Sequence, residues 1–244
     1  MPFPGHLVEC VASVLNVPAK TVTQHDRILA SVGLRKVSGR GRSAARVTPN
    51  DAASLLITVV GSPIAGPTVK DTVQTFERYA NLVATNPIGL EVATWPPSLK
   101  VLQNLAPGHT FRDAVASLVH VWSRGKPRSP DVFVEIEQDP FQTIGDVYLT
   151  IKLHAPRPTA SILIEAEITR LSIGHDGKDP RNYYTDKAAA ELIYHPRKVG
   201  TTFEEIVDEM KKLDESYRGD LHQIRMITEV TIGRLAALFT HPPP

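Results

Sequence analysis

Residues 33–49, GLRKVSGRGRSAARVTP, bring together side chains that can hold an anion, and we call them the basic segment. Five of these seventeen residues are Lys or Arg and none is acidic. Arg40 and Arg42 lie two residues apart and are flanked by Gly39 and Gly41. Glycine allows a backbone to approach a ligand closely, and alternating arginines can follow a chain of phosphates. The segment therefore predicts a negatively charged partner.

The tract just before the basic segment, residues 19–32, carries polar side chains suited to the edges of DNA bases. Glutamine and arginine can make paired hydrogen bonds to adenine and guanine. Val22, Ile28 and Leu29 are expected to pack inwards. The residues predicted to face a DNA groove are Thr21, Thr23, Gln24, His25 and Arg27. The other predicted DNA contacts, mainly to phosphate, are Lys20, Arg35, Lys36, Arg40, Arg42, Ser43 and Arg46.

Helices must position these side chains. The apolar spacing predicts one helix over residues 6–16 and a second over 19–32, which could break near residues 21–24. Gly33 stands where a helix is expected to end. Thr48-Pro49-Asn50-Asp51 predicts the start of a further helix, because Thr48 can cap it and Pro49 suits its first position. That helix is expected to end at Gly61.

The order helix, helix, basic segment, capped helix resembles a helix-turn-helix or winged-helix DNA-binding module. The run GRGRSAARVTPNDAASLLI is similar in style to regulators of bacterial prophage type. The resemblance implies that residues around 21–30 form a recognition helix and that the basic segment contacts the backbone. It implies sequence-dependent binding of double-stranded DNA, as a transcriptional regulator such as a repressor, and a homodimer that matches a palindrome.

The rest of the chain predicts an α+β fold. Helices are expected over residues 69–84 and 111–125. Alternating apolar residues predict a small three-stranded antiparallel meander, and two C-terminal helices follow. The predicted strands are 131–138, 147–154 and 161–173, and the predicted C-terminal helices are 203–217 and 221–239. Residues 174–200 look rich in turns. We expect three regions, with the DNA-binding module over 1–62, helices over 63–128, and sheet plus helices over 129–244.

Catalytic interpretations find little support in the sequence. Acids two apart share one face of a strand, and the pairs are Glu135 with Glu137 and Glu165 with Glu167. Beside a DNA-binding module they suggest a metal-dependent nuclease, with Lys152 on the same face, although the usual acid-x-Lys ending is missing. Neither a phosphate-binding loop nor a nucleophile elbow occurs. We predict no catalysis, no metal and no cofactor.

Composition sets the remaining expectations. Residues 1–50 carry seven bases and two acids, although the net charge of the whole chain is only +1. The single cysteine, Cys10, lies in an apolar pattern and predicts a buried thiol in a reducing compartment. No apolar run is long enough for a bilayer. We expect a bacterial cytoplasmic, nucleoid-associated protein without membrane contact. A phage-type DNA-packaging protein resembling a small terminase subunit is an alternative, and it would form a ring.

Overall fold

The structure is a computed structural model that describes residues 2–35, 46–63, 69, 71–85, 105–106, 108–127, 142–173, 180–196, 208, 212 and 223–240. The helices in this part of the chain are α1 (Pro4–Leu15), α2 (Ala19–Ser31), α3 (Pro49–Gly61), α4 (Thr72–Ala80), α5 (Phe111–Trp122) and α6 (Glu229–Thr240). The strands are β1 (Val83–Thr85), β2 (Gln142–Ala155), β3 (Thr159–Ile173), β4 (Pro180–His195) and β5 (Gln223–Thr228). The predicted α+β class is confirmed.

The first two helices form as predicted, and α2 runs without the break that seemed possible near residues 21–24. Asn16 turns the chain between them in a left-handed conformation with φ of 52°. At the end of α2, Leu34 donates a backbone hydrogen bond to Leu29 and Gly33 donates one to Ala30. This pairing needs a left-handed residue, and Gly33 supplies it with φ of 79°. Gly33 therefore ends the helix as predicted.

Helix α3 lies at the centre of the helical layer and begins with a capping box. Thr48 Oγ1 accepts a hydrogen bond from the Asp51 amide at 3.2 Å, and the Asp51 carboxylate accepts one from the Thr48 amide at 2.8 Å. Every residue from position 51 to 60 is buried, as expected of a helix that is apolar on all sides. At its end, a Cβ on Gly61 would lie 2.8 Å from the Tyr79 ring, so glycine permits the close approach of α4.

The five strands form one antiparallel sheet in the order β1-β4-β3-β2-β5. Alternate residues of β2 enter the core, because Val147, Leu149 and Ile151 are buried. Tyr148 and Lys152 alternate with them and so point to the other face. On the edge strand β5, Ile224 and Met226 are 62% and 60% exposed. The sheet thus has one face towards the helices and one face towards solvent.

The sheet differs from the predicted meander in its strands. Residues 131–138 lie outside the described part of the chain, and the three central strands are β2, β3 and β4. Residues 180–195 form the strand β4, although residues 174–200 were predicted to be mostly turns. The predicted helix over 221–239 is wrong in its first part, because residues 223–228 form β5 before α6 begins. Similarly, the helix predicted over 69–84 ends at residue 80 and β1 follows. The predicted helix 203–217 falls on residues of which almost none is described.

Helices and sheet share one core, which extends from Leu7 in α1 to Ala236 in α6. The fully buried Tyr194 of β4 packs its ring against Phe111 of α5, with ring centroids 5.2 Å apart. Tyr79 of α4 donates a hydrogen bond to the backbone carbonyl of His154 at 2.8 Å. Aromatic side chains therefore join the two layers. The division into regions at residues 62 and 128 stays a prediction, as does the helix-turn-helix or winged-helix identity of the first region.

Among the helices of the described residues, none combines the length and the apolar character that a membrane span requires.

Candidate nucleic-acid interface

Helix α2 presents a polar face to solvent. Lys20, Gln24 and Arg27 are exposed and lie four and three residues apart, so they share one side of the helix. The opposite side is anchored in the core by Val22 and Leu29, which are both fully buried. Three of the predicted DNA contacts are therefore accessible together on a helix that the core holds in place.

The threonines of α2 are less exposed than Lys20, Gln24 and Arg27. Both Thr21 and Thr23 are only partly exposed. Thr23 Oγ1 donates a hydrogen bond to the Ala19 carbonyl at 2.8 Å, so its hydroxyl proton is engaged within the helix. A hydroxyl bonded in this way can still accept a hydrogen bond. The two threonines flank the polar face rather than form its centre.

His25 does not face a groove, and this part of the prediction is wrong. Its side chain is 1% exposed, and its Nδ1 lies 2.8 Å from Thr72 Oγ1 at the start of α4. Since the Thr72 hydroxyl donates its own proton to the Val69 carbonyl, the His25 ring must donate through Nδ1. Burial lowers the pKa of His25 below its ordinary value, because the charged ring loses its solvation. His25 ties α2 to α4.

Arg35 is also buried, which contradicts its predicted contact with DNA. The residue is 9% exposed and forms a two-point pair with Asp26 of α2. Arg35 Nε lies 2.6 Å from Asp26 Oδ1, and Nη2 donates a hydrogen bond to Oδ2 at 2.9 Å. Burial raises the pKa of Asp26, and the Arg35 guanidinium opposes that rise. Arg35 therefore fixes the start of the basic segment to the helix that precedes it.

Arg46, the last base of the segment, is exposed and sits on an aromatic ring. Its guanidinium carbon lies 4.0 Å from the centroid of the Phe3 ring. The next residue, Val47, is buried and donates a backbone hydrogen bond to the Pro2 carbonyl at 3.0 Å. Sequence reasoning missed both Pro2 and Phe3, since they are far from Arg46 along the chain and form no local motif with it.

Four predicted contacts, Lys36, Arg40, Arg42 and Ser43, fall outside the part of the chain that the structure describes. The chain on either side of them makes contacts within the fold. Arg35 is held by Asp26, and Val47 is held by Pro2. The acids near this region have partners of their own, because Asp26 pairs with Arg35 and Asp51 accepts hydrogen bonds from Thr48. These two acids of the described residues therefore have their partners within the protein.

Of the acid pairs that suggest a nuclease, only a part lies within the described residues. Glu165 of β3 pairs with Tyr148 of β2, while Lys152 pairs with Ser161 four residues along β3. Glu165 and Lys152 therefore lie on the same face of the sheet, the one towards solvent, but are separated from each other along the strands. Glu135, Glu137 and the side chain of Glu167 lie outside the part of the chain that the structure describes. In the described residues, no group of three His, Cys, Asp or Glu side chains could hold a metal ion.

Among the described residues, Cys10 and the pair Tyr194 with His109 carry groups that could do chemistry, and each makes contacts within the fold. Cys10 is half-buried and its Sγ donates to the Arg234 carbonyl at 3.6 Å, while burial raises its pKa and favours the unreactive thiol. Tyr194 contacts His109, with 3.1 Å between the hydroxyl oxygen and Nε2. Burial lowers the pKa of His109 and raises that of Tyr194. Because both are buried, this pair holds β4 beside α5.

Comparison with known proteins gives no identification. No protein-family model, no curated protein and no solved structure matches this chain.

Proposed function

We propose that this protein binds double-stranded DNA through the exposed face of α2 and the basic segment that follows it. The observation that carries the proposal is the position of Lys20, Gln24 and Arg27 on one solvent-facing side of a helix whose other side is locked in the core. A rigid helix with an exposed polar side is the element that enters a major groove in many DNA-binding proteins.

The proposed contact residues fall into two groups, those suited to bases and those suited to phosphate. Gln24 and Arg27 carry the planar groups that pair with adenine and guanine, so they read bases. Lys20 and Arg46 carry exposed charges suited to phosphate, and the proposal assigns Lys36, Arg40, Arg42 and Ser43 to phosphate as well. His25 and Arg35 are removed from the proposed contacts because both are buried. The proposed interface thus keeps ten of the twelve residues predicted from the sequence.

We propose that the biological role is transcriptional regulation of prophage type, with the protein associated with the bacterial nucleoid. A two-fold dimer would present two α2 helices to two half-sites of a palindrome. Native mass measurement tests the assembly. A dimer supports the regulatory proposal, whereas a ring of many subunits contradicts it and favours the DNA-packaging alternative.

A salt series of fluorescence anisotropy titrations on labelled genomic fragments tests DNA binding itself. If about five bases contact phosphate (Lys20, Lys36, Arg40, Arg42 and Arg46), the logarithm of affinity should fall with that of salt concentration at a slope of about −4 to −5, since each contact contributes about −0.9. Absence of binding at low salt, or binding that salt does not weaken, contradicts the proposal.

A further inference from the structure

The two edges of the sheet differ in what lies beside them. At the β1 edge, the Ala84 amide donates a backbone hydrogen bond to the His109 carbonyl at 3.2 Å, and the Phe111 amide donates one to the Leu82 carbonyl at 2.7 Å. The strand β1 is also only three residues long. Residues 109–111 therefore close this edge.

The opposite edge, formed by β5, is open. Among the described residues, β5 pairs with β2 on one side and with no strand on its other side. The backbone groups along such an edge can pair with a further strand, and proteins usually protect an open edge with lysine, proline or a bulge. The sequence of β5, QIRMIT, contains neither lysine nor proline, and its register with β2 is continuous. The β5 edge is thus suited to accept another strand.

Exposed apolar side chains concentrate at this edge. Among the described residues, five large apolar side chains are exposed, and only Val32, at the end of α2, lies elsewhere in the fold. Ile224 and Met226 belong to β5, and Val230 follows two residues after the strand ends. Tyr148 lies on β2, two residues beyond the segment that pairs with β5. An apolar surface beside an open strand edge indicates contact with a protein.

The charge of the edge is compatible with a second copy of the same chain. When a two-fold axis perpendicular to the sheet relates two antiparallel strands, residues opposite each other point to the same face. Ile224 and Met226 of both copies then lie side by side on the solvent-facing side. The one charged residue of β5, Arg225, points to the other side, where it donates a hydrogen bond to the Val60 carbonyl. No like charges of β5 therefore meet on the apolar side.

The same residue favours one register. An axis through Arg225 places two like charges opposite each other, which is unfavourable. An axis through the next residue, Met226, avoids this arrangement. Met226 of one copy then lies opposite Met226 of the other, and Ile224 lies opposite Thr228.

We propose that the β5 edge binds the β5 edge of a second copy of this chain, so that two five-stranded sheets join into one continuous antiparallel sheet. The proposed function includes a two-fold dimer, and this inference assigns the surface that forms it. Because the sheet edge alone supports the assignment, it does not depend on DNA binding.

The size of the edge sets the expected strength of the dimer. Six residues extend β5 over about 20 Å, so the strand edge alone is smaller than a standard interface of about 800 Å² per partner. The exposed side chains of Tyr148 and Val230 extend the apolar surface beyond the strand. We expect a dimer that depends on protein concentration.

Sedimentation velocity of the full-length protein, from low to high micromolar concentration, tests the contact. The wild type should shift from monomer to dimer. Met226→Lys should weaken association at least about tenfold, because it brings like charges together at the axis. Val32→Lys is the matched control, since it also replaces an exposed apolar residue, and it should associate like the wild type.

Met226→Cys tests the register and serves as the second variant if Met226→Lys does not fold. Residues opposite each other have Cα atoms about 4.5–5.5 Å apart, within the range of about 4.4–6.8 Å that a disulfide spans. Mild oxidation should therefore link two copies, as seen by electrophoresis without reductant. Val32→Cys should not form this link, and the wild type shows the background from the half-buried Cys10.

A wild type that stays monomeric at every concentration overturns the proposal, as does a dimer that Met226→Lys leaves intact. A ring of many subunits also overturns it, because two copies complete a two-fold contact. If Met226→Lys abolishes the dimer but Met226→Cys forms no link, the edge contact is supported and the axis at Met226 is rejected. DNA binding by a monomer would leave the proposed DNA contacts standing, whereas a β5 dimer without salt-dependent DNA binding would overturn only the proposed function.

Discussion

Arg35 and Arg46 are the first and last bases of the basic segment, and their surroundings differ. Arg35 is 9% exposed and shares two close contacts with Asp26, whereas Arg46 is exposed and rests on the Phe3 ring. In the first case the guanidinium is paired with a carboxylate inside the protein, and in the second it lies at the surface. Two bases that look equivalent in the sequence therefore differ in burial: Arg35 is part of the buried structure, and Arg46 is exposed.

The largest expected difference between Arg35 and Arg46 is in their effect on the stability of the protein. Arg35→Ala should lower the free energy of unfolding by about 3–5 kcal/mol, because it leaves the Asp26 carboxylate buried without its partner. Urea denaturation followed by circular dichroism measures this change. Arg46→Ala is the matched control and should cost no more than about 1 kcal/mol, since it removes an exposed contact. Equal losses in the two variants would break the comparison.

A second, smaller prediction concerns which bases the exposed face reads. Arg27→Ala should reduce the preference for the best binding sequence by about 1–3 kcal/mol while leaving its dependence on salt nearly unchanged. Selection from a random duplex library, followed by competition titrations, measures the preference. Arg40→Ala provides the contrast, because a phosphate contact weakens binding to all sequences alike. A uniform loss for Arg27→Ala would move Arg27 from base reading to phosphate contact.

The smallest expected effect is a pH dependence of stability that originates in the buried side chain of His25. Burial lowers the pKa of His25 below its ordinary value of 6.5, so the unfolded chain takes up this proton at a higher pH than the folded protein does. The contribution of His25 to stability is complete above pH 6.5 and is lost as pH falls through the folded pKa.

Unfolding free energies of the wild type and His25→Gln, measured from pH 7.5 down to about pH 5.5, check this contribution. The wild type should lose more stability over this range than the variant, because glutamine does not titrate. His109 and His154 also have lowered pKa values and are unchanged in both proteins, so their effects cancel in the comparison. Parallel pH profiles would contradict the burial of His25.

Local patterns in the sequence were sufficient to predict several structural elements correctly. Thr48 and Asp51 form the predicted capping box, and Gly33 adopts the predicted left-handed conformation. These features depend on residues within a few positions of one another. Likewise the apolar spacing of α1 and α3 identifies both helices, because each has enough apolar residues to define a buried side.

The predicted secondary structure is wrong where pairing between residues far apart in the chain determines the structure. Ile224 and Ile227 lie three apart, which fits a helix, yet pairing with β2 makes residues 223–228 a strand. In β4 the run KAAAELIYH is rich in helix-forming residues, and pairing with the long strand β3 overrides that preference. Tertiary pairing outweighs local propensity in both places.

The sequence was sufficient to predict the charged and polar residues of the candidate site, but not which of them are buried. Lys20, Gln24 and Arg27 are exposed as predicted. His25 is buried because Thr72 stands 47 residues away and accepts its hydrogen bond. Arg35 is buried because Asp26, on the inner side of α2, lies within reach once Gly33 has turned the chain. No local pattern distinguishes Arg35 from Arg46, since the difference lies in what each side chain meets after folding.

The most direct test of the account is the salt dependence of DNA affinity in three proteins measured side by side: the wild type, Arg46→Ala and Arg35→Lys. Arg35→Lys keeps a positive charge beside Asp26. The account predicts a slope of about −4 to −5 for the wild type, a slope less steep by about 0.9 for Arg46→Ala, and an unchanged slope for Arg35→Lys. A wild type that does not bind DNA at low salt, or a slope that changes for Arg35→Lys and not for Arg46→Ala, would contradict it.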